Sequence, residues 1–223
     1  MCENLLVQYL DNNKKDLDLS TVIIKQLIKE RFIDKESSLY KDLKNTFQTL
    51  DQKLKEIRII DPAVGSGQFT TGMMSLICET REKLNIFYDY DRKMFQLKKN
   101  CIQNCIYGVD IIDSSVEITK LRLWLSLIVD EKKIENVSSL PNLDYKIYQC
   151  DSLVFSEVNI FNKNLLDKFN GLKNSLYNED NVEKVNELKK TLSLTMDEII
   201  KSHDDIGIEI IFNEVFSGKN PGF

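Results

Sequence analysis

A short, mostly apolar run at residues 57–60 is followed at once by a carboxylate and a glycine-rich turn. Residues 57–69 read Ile-Arg-Ile-Ile-Asp-Pro-Ala-Val-Gly-Ser-Gly-Gln-Phe. The apolar run predicts a buried strand, and the glycines, which tolerate positive φ, predict a tight turn into a helix. Because ligands of doubly wound α/β sheets bind outside the carboxyl ends of the strands, the segment predicts a ligand site beginning at Asp61.

Three other glycine-rich motifs do not fit this turn. No Gly-Lys-Ser/Thr occurs, which argues against a nucleotide P-loop. The next glycine, Gly72, comes too late after Gly67 to complete the dinucleotide pattern Gly-x-Gly-x-x-Gly. The order Gly-Ser-Gly also differs from the Gly-x-Ser-x-Gly of a nucleophile elbow. A tight turn that binds no ligand is the remaining alternative.

The turn resembles the signature Asp-Pro-Ala-x-Gly-Ser-Gly-x-Phe of S-adenosylmethionine-dependent DNA adenine-N6 methyltransferases. The resemblance implies that S-adenosylmethionine is the cofactor. Glycines let the backbone approach a ligand closely, and the N–H groups that open the following helix favour the carboxylate of the cofactor's methionine part. The cofactor-binding residues implied for this turn are Asp61, Pro62, Ala63, Gly65, Gly67 and Phe69.

A second segment strengthens the resemblance. Residues 104–110 read Asn-Cys-Ile-Tyr-Gly-Val-Asp, similar to a string that ends an insert in methyltransferases of the type IIG restriction–modification kind. An acidic residue that ends the second strand can accept hydrogen bonds from both ribose hydroxyls of an adenosine cofactor. The resemblance therefore implies that Asp110 and Ile111 bind the cofactor.

A third segment, residues 150–153, reads Cys-Asp-Ser-Leu and matches the family's Gly-Asp-Ser-Leu except at Cys150. The resemblance implies that Asp151, together with Ser152, binds the adenine of the cofactor. The alternative role for Asp151 is that of a helix N-cap. The side chain of Cys150, where the family has glycine, could narrow the pocket.

The motif with which the family holds the flipped target adenine, Asn-Pro-Pro-Tyr/Phe, does not occur in the sequence. Residues 220–223, Asn-Pro-Gly-Phe, are a near match, but residues 216–219 lack the apolar strand that precedes the family motif. We therefore predict no catalytic residue and expect a chain truncated before that motif. Such a chain would be the cofactor-binding part of a site-specific adenine-N6 methyltransferase from a restriction–modification or phage-defence system, inactive alone.

Strand and helix patterns alternate through the middle of the chain. We predict strands over residues 57–60, 106–109 and 145–148, and helices over 68–84, 91–104 and 114–129, the last with a capping box at Ser114 and Glu117. Such alternation implies a parallel sheet with right-handed crossovers. With the resemblance, the predicted fold is an α/β Rossmann-like class I methyltransferase core with an incomplete sheet.

The flanking regions are predicted to be helical. Residues 1–56 form an N-terminal helical region, with one helix capped by Ser20 and a second that begins after Ser37 or Ser38 and continues to Leu54. Residues 57–223 form a partial methyltransferase domain that contains a helical-hairpin insert over 162–203. A short strand is predicted over 208–212. Its apolar side chains would lie near the open side of the sheet, where we expect self-association or a companion chain.

Charge and cysteine content limit which partners and ligands the chain is expected to bind. The net charge is −5, whereas a chain that grips DNA unaided presents a basic face, so we expect segments outside this sequence to supply most of the DNA contact. Five scattered cysteines and the single His203 show no zinc-ligand spacing, and we predict no metal site. Reduced thiols, no secretory signal and no apolar run of about 20 residues predict a cytoplasmic protein without a membrane span.

Two alternatives to this hypothesis belong to other functional classes. A non-catalytic subunit or remnant could keep the fold and bind a partner chain. A methyltransferase of RNA or protein would use a similar cofactor site, although the Ser-Gly after Asp-Pro-Ala and the wide spacing between Asp61 and Asp110 favour DNA.

Overall fold

The computed structural model of the chain describes residues 1–130, 140–154, 163–179, 181–201 and 206–216. Three strands, β1 (Ile59–Asp61), β2 (Ile106–Asp110) and β3 (Ile147–Gln149), form a sheet in the order β1-β2-β3. Both pairings are parallel, with Ile59 opposite Ile106 and Gly108 opposite Ile147. The predicted parallel sheet is therefore confirmed for the described residues.

The third strand begins two residues later than predicted. Tyr145 has a φ of 61°, a left-handed conformation that an extended strand cannot contain. The N–H groups of Lys146 and Ile147 both donate to the carbonyl of Leu143, so a turn precedes the strand. The conformation of Tyr145 therefore sets the start of β3.

Five helices form the N-terminal region: α1 (Cys2–Asn12), α2 (Lys14–Leu17), α3 (Thr21–Lys29), α4 (Ser38–Leu43) and α5 (Phe47–Glu56). Ser20 caps α3 and Ser37 caps α4, each by accepting a backbone N–H. The single helix predicted up to Leu54 is wrong, because the chain breaks between α4 and α5. Asn45 and Thr46, both weak helix formers, lie at the break.

After the N-terminal region, the described chain contains seven further helices and one 3-10 turn. They are α6 (Gln68–Lys83), the 3-10 turn Leu84–Phe87, α7 (Met94–Asn104), α8 (Asp113–Ile128), α9 (Lys163–Asn178), α10 (Val182–Lys201), α11 (Ile208–Ile211) and α12 (Asn213–Phe216). Helices α9 and α10 pack on each other, as the predicted hairpin requires. The capping box at Ser114 is wrong, since the N-cap of α8 is Ile112 and no side chain caps it among the described residues.

The strand predicted over residues 208–212 is also wrong, because Ile208–Ile211 is a short helix. Its apolar side chains do not lie at an open side of the sheet. Ile210, Ile211 and Phe212 are fully buried, and the Phe212 ring packs edge-on against Tyr107 of β2, with centroids 5.3 Å apart. They fill a core that the hairpin also lines.

Both faces of the sheet are covered, because successive side chains of a strand point to opposite sides. Ile106 belongs to the larger apolar cluster, which includes residues of α1, α3, α6, α7 and α8. Tyr107 and Val109 belong to a second cluster with residues of α9, α10, α11 and α12. The sheet thus lies between two helical layers, and its carboxyl edge is left to the loops that follow the strands.

A buried ion-pair network ties the N-terminal helices to α6. Asp51 of α5 accepts from Arg81 Nε at 2.9 Å and from Arg92 Nη1 at 2.7 Å. Asp51 and Arg81 are both almost fully buried. Residues 1–56 therefore pack into the same core as α6 and α7, and the boundary placed at residue 57 stays a prediction. Within the described residues, no helix is both long and apolar enough to cross a bilayer.

Candidate cofactor site

The turn between β1 and α6 owes its shape to two glycines. Gly65 has a φ of 52° and Gly67 a φ of 74°, both in the left-handed region that other residues avoid. A Cβ atom at Gly67 would lie 2.8 Å from the side chain of Thr119, whereas a Cβ at Gly65 would meet nothing within 4 Å. The turn therefore packs tightly on α8 at Gly67 and leaves open space beside Gly65.

Hydrogen bonds join this turn to the end of β2. Asp110 accepts from Gly65 N through Oδ2 at 2.8 Å and from Ile112 N through Oδ1 at 2.9 Å. Val64 N donates to the carbonyl of Val109 at 2.8 Å. A carboxylate has about four lone-pair sites, so Asp110 keeps acceptor capacity after these two bonds. The structure thus brings the first and second predicted segments together at one edge.

Asp61 stands beside Asp110 at this edge. Its Oδ1 accepts from Ala63 N at 3.2 Å. Burial raises the pKa of Asp61, the Ala63 N–H opposes the rise, and the neighbouring Asp110 adds to it. Two carboxylates in mutual electrostatic contact favour a cationic group between or beside them.

The third predicted segment follows β3 at the same edge. Cys150 N donates to the carbonyl of Asp110 at 3.1 Å, which places Asp151 next to the end of β2. Asp151 is exposed, and its Oδ1 accepts from Leu153 N at 2.9 Å. Ser152 is half-buried. The side chain of Cys150 packs against the second core cluster.

The other predicted residues differ in exposure. Pro62 and Ala63 are exposed in the turn, and Ile111 is 64% exposed, with its carbonyl accepting from Gln149 Nε2 at 3.1 Å. Phe69 is half-buried against the larger core cluster. The apolar surface of Ile111 is therefore free at the edge, while Phe69 holds the start of α6 to the core.

Two residues that support the turn were not predicted. Thr119 of α8 is fully buried, and its Oγ1 donates to the carbonyl of Gly65 at 3.0 Å. Val64 is buried against Gly108, where an added Cβ would come within 2.9 Å of it. In the sequence, Thr119 lies between Val116 and Leu123 at helical spacing. A polar residue among the buried positions of a helix is the signal that could have identified Thr119.

A cavity of about 330 Å³ lies beside the predicted residues, between α8, β3 and α10. Its polar walls include Asp113, Glu117, Lys120, Asp144 and Lys189. Lys120 and Lys189 both pair with Asp144, at 3.4 and 2.8 Å. Glu117 also pairs with Lys120, at 2.8 Å, so three carboxylates face two lysines in this cavity. The near match to the family's catalytic motif at residues 220–223, like His203, lies outside the described residues.

Comparisons with known proteins agree with the motifs. The family model of the MmeI DNA-methyltransferase domain matches residues 36–147, and the model of the Eco57I restriction–modification methylase matches residues 104–223, each about half of the chain. A Methanocaldococcus jannaschii protein, whose name describes a type II restriction enzyme and methyltransferase, is 35% identical over 122 residues. That match covers 53% of this chain but 10% of the relative's length.

No solved structure matches the chain. The two family models overlap across β2 and α8, and together they extend from α4, in the N-terminal helices, to the end of the sequence. The chain therefore belongs to the DNA methyltransferases of restriction–modification systems.

Proposed function

We propose that the chain binds S-adenosylmethionine at the carboxyl edge of its sheet, as the cofactor-binding part of a site-specific DNA adenine-N6 methyltransferase. The three parallel strands would belong to a Rossmann-like class I methyltransferase core. The hydrogen bond from Gly65 N to Asp110 Oδ2 is the main support, because it joins the glycine turn to the carboxylate that ends the next strand. Ligands of doubly wound sheets bind at this place.

The methionine part of the cofactor fits the charges of the turn. Asp61 offers a carboxylate to its ammonium group, and the neighbouring Asp110 adds negative charge to the same edge. The first N–H groups of α6 have no partner within the helix and favour its carboxylate, while the space beside Gly65 leaves room for close approach. When bound, S-adenosylmethionine supplies a methyl group on a positively charged sulfur, which the same carboxylates attract.

The adenosine part fits the ends of β2 and β3. The free lone pairs of Asp110 can accept from the ribose hydroxyls, and Asp151 can accept from the adenine amino group. Ile111 offers an exposed apolar side chain at the same edge. We assign Ser152, Pro62 and Ala63 to the walls of this site. Holding the methyl donor in register with its acceptor is the main contribution such a site makes to the reaction.

Calorimetric titration with S-adenosylhomocysteine tests the site. Asp110→Asn should weaken binding by about 1–3 kcal/mol, because a carboxylate that accepts from ligand hydroxyls is replaced by an amide. Asp42→Asn is the matched control, since Asp42 is an exposed acid on α4, outside the proposed site, and should bind like the parent. Unchanged affinity in a folded Asp110→Asn protein would refute the ribose assignment.

Adenine specificity is tested at the level of the genome. In the organism that carries the gene, N6-methyladenine should occur in one sequence context and disappear when the locus encodes Asp61→Ala. Loss of methylated cytosine instead would refute the adenine assignment. The alternative of a non-catalytic subunit makes the opposite prediction for the titration: a stable fold that binds no S-adenosylhomocysteine.

A further inference from the structure

A second polar cavity lies at the other end of the sheet. It has a volume of about 340 Å³, and its lining includes Arg58, Asn104 and Lys146, which stand just before β1, β2 and β3. At a rise of ~3.3 Å per residue, the five residues of β2 separate this edge from Asp110 by roughly 13 Å. The cavity is therefore distinct from the proposed cofactor site.

Lys146 is an unpaired cation in the wall of this cavity. It is 2% exposed, and its Nζ lies 3.7 Å from the ring centroid of Tyr107 and 4.7 Å from that of Tyr177. Among the described residues, Nζ donates no hydrogen bond and no carboxylate lies within ion-pair distance. Aromatic faces attract a cation but do not replace a hydrogen-bond acceptor, and a buried charge without such a partner is costly.

The neighbouring Lys173 shows the contrast. It is fully buried, and its Nζ donates to the carbonyl of Ile211 at 2.7 Å and to Glu214 Oε2 at 2.6 Å. One buried lysine thus has an anion and a carbonyl, while Lys146, close enough for electrostatic interaction with both Lys173 and Glu214, has neither. The missing partner of Lys146 is an anion.

The rest of the lining can hold such an anion. Lys55 and Arg58 add positive charge, against the carboxylates of Glu56 and Glu214. The carboxylate of Glu214 is already paired with Lys173. The wall also contains the side-chain amides of Gln52, Gln103, Asn104 and Asn174. The first three already donate one N–H within the protein, so each keeps a second N–H for a ligand. Several donors around one buried cation suit the oxygens of a small tetrahedral oxyanion.

We propose that this cavity binds a small free oxyanion of the phosphate type, with Lys146 and Arg58 as its charged partners. This ligand site is separate from the proposed cofactor site and lies at the opposite edge of the sheet. A phosphate group on a nucleic-acid backbone has the same chemistry, and competition with DNA distinguishes the two sources.

Anion binding in this cavity should depend on pH, in a direction set by the pKa of Lys146. Burial lowers the pKa of Lys146 to about 7, an effect that Glu214 opposes and Lys173 strengthens. An anion at Nζ stabilises the charged form, so binding should strengthen as pH falls below about 7 and weaken above it. The other titratable or charged groups around Lys146 and the cavity are Lys55, Glu56, Arg58, Cys105, Tyr107 and Tyr177.

Sulfate is the first probe, because its charge stays constant across the pH range used. Calorimetry at about pH 6 should show saturable binding that weakens about tenfold or more in Lys146→Met, the loss of one charge-assisted contact. Lys29→Met is the matched control, since Lys29 is exposed on α3 and should bind sulfate like the parent. Equal binding in Lys146→Met and the parent would overturn the proposal.

Three further measurements complete the test. Inorganic phosphate should compete with sulfate, whereas S-adenosylhomocysteine and a short DNA duplex should not. Competition by S-adenosylhomocysteine would place the anion at the cofactor site, and competition by DNA would identify it as a backbone phosphate. Either result would overturn the proposal. If Lys146→Met fails to fold, Arg58→Gln replaces it. In the parent, the titration midpoint of Lys146, followed by ¹³C NMR, should rise with saturating sulfate, and an unchanged midpoint would refute the assignment.

Discussion

Gly67→Ala should destabilise the protein by a predictable amount. Gly67 is the N-cap of α6 with a φ of 74°, and an alanine Cβ would lie 2.8 Å from both Cγ2 and Oγ1 of Thr119. Left-handed backbone costs a residue with a Cβ roughly 1–2 kcal/mol. Overpacking a buried contact adds about 1–3 kcal/mol. The expected loss is therefore about 2–5 kcal/mol of the free energy of unfolding.

Gly65→Ala separates the two contributions. Gly65 has a φ of 52° but no atom within 4 Å of an added Cβ, so it should lose only the backbone part, roughly 1–2 kcal/mol. Urea unfolding followed by circular dichroism measures both variants, and an unchanged slope keeps the comparison valid. Because the proposed cofactor site opens beside Gly65, its alanine variant should also bind S-adenosylhomocysteine more weakly.

A double-mutant cycle with Thr119→Ala isolates the contact. The single change loses the bond from Thr119 Oγ1 to the carbonyl of Gly65, about 1 kcal/mol. It also removes the atoms that clash with an alanine at position 67, so the double variant should be about 1–2 kcal/mol more stable than additivity predicts. Equal losses at Gly65 and Gly67, or an additive cycle, would refute the reasoning.

Three other predictions concern the core, the chemistry and the surface. Asp51→Ala should cost about 3–5 kcal/mol in urea unfolding, because it leaves Arg81 and Arg92 buried without their carboxylate. Burial alone would raise the pKa of Asp51, but the bonds from both arginines lower it, so the stability that Asp51 contributes should be lost only as pH drops below the ordinary Asp value of about 3.9. An Asp51→Ala protein as stable as the parent would contradict this. The 223-residue chain should transfer no radiolabelled methyl to DNA, and clear incorporation would contradict the absence of a catalytic motif. Light scattering over a concentration series should show self-association that Leu121→Glu with Leu125→Glu reduces, since both side chains are more than half exposed on α8. A monodisperse parent would refute it.

The sequence predicted the sheet and the glycine turn because their signals are local. Three isoleucines among residues 57–60, followed by Asp61, indicate a strand without any distant partner, and left-handed glycines can be predicted from the turn itself. The meeting of Asp110 with Gly65 followed from one rule, that parallel strands end at the same edge. Whether those residues bind a cofactor stays a prediction.

The errors arose where tertiary contacts decide. A short apolar run such as residues 208–212 cannot be distinguished from a buried helix by periodicity. Burial of Ile210 and Phe212 against β2 and the hairpin holds it as a helix. Ser114 lies inside α8 because the helix begins at Asp113, directly after the Ile112 N–H bond to Asp110. The Asp110 side chain, rather than Ser114, therefore holds the residues that lead into α8.

Thr119 and Lys146 show the other limit of sequence-based reasoning. Each derives its role from contacts across the fold: Thr119 with the glycine turn 54 positions away, and Lys146 with the rings of Tyr107 and Tyr177. In the sequence, Lys146 is one of 30 basic residues, with nothing to mark it as buried. Only its burial against the rings of Tyr107 in β2 and Tyr177 in α9 separates it from the surface lysines.

The two edges of the sheet each hold ionisable side chains, acidic at one edge and basic at the other. At the carboxyl edge, Asp61 and Asp110 gather negative charge and bind backbone N–H groups of the glycine turn and of Ile112. At the amino edge, Lys146 is a buried lysine with no described carboxylate within ion-pair distance, and a bound anion would favour its charged form. Both arrangements cost folding free energy that a bound ligand of opposite charge would return as affinity. The residues that hold the glycine turn should therefore influence affinity for the proposed cofactor as well as stability, and Thr119, which supports the turn through the carbonyl of Gly65, should act on both through one hydrogen bond.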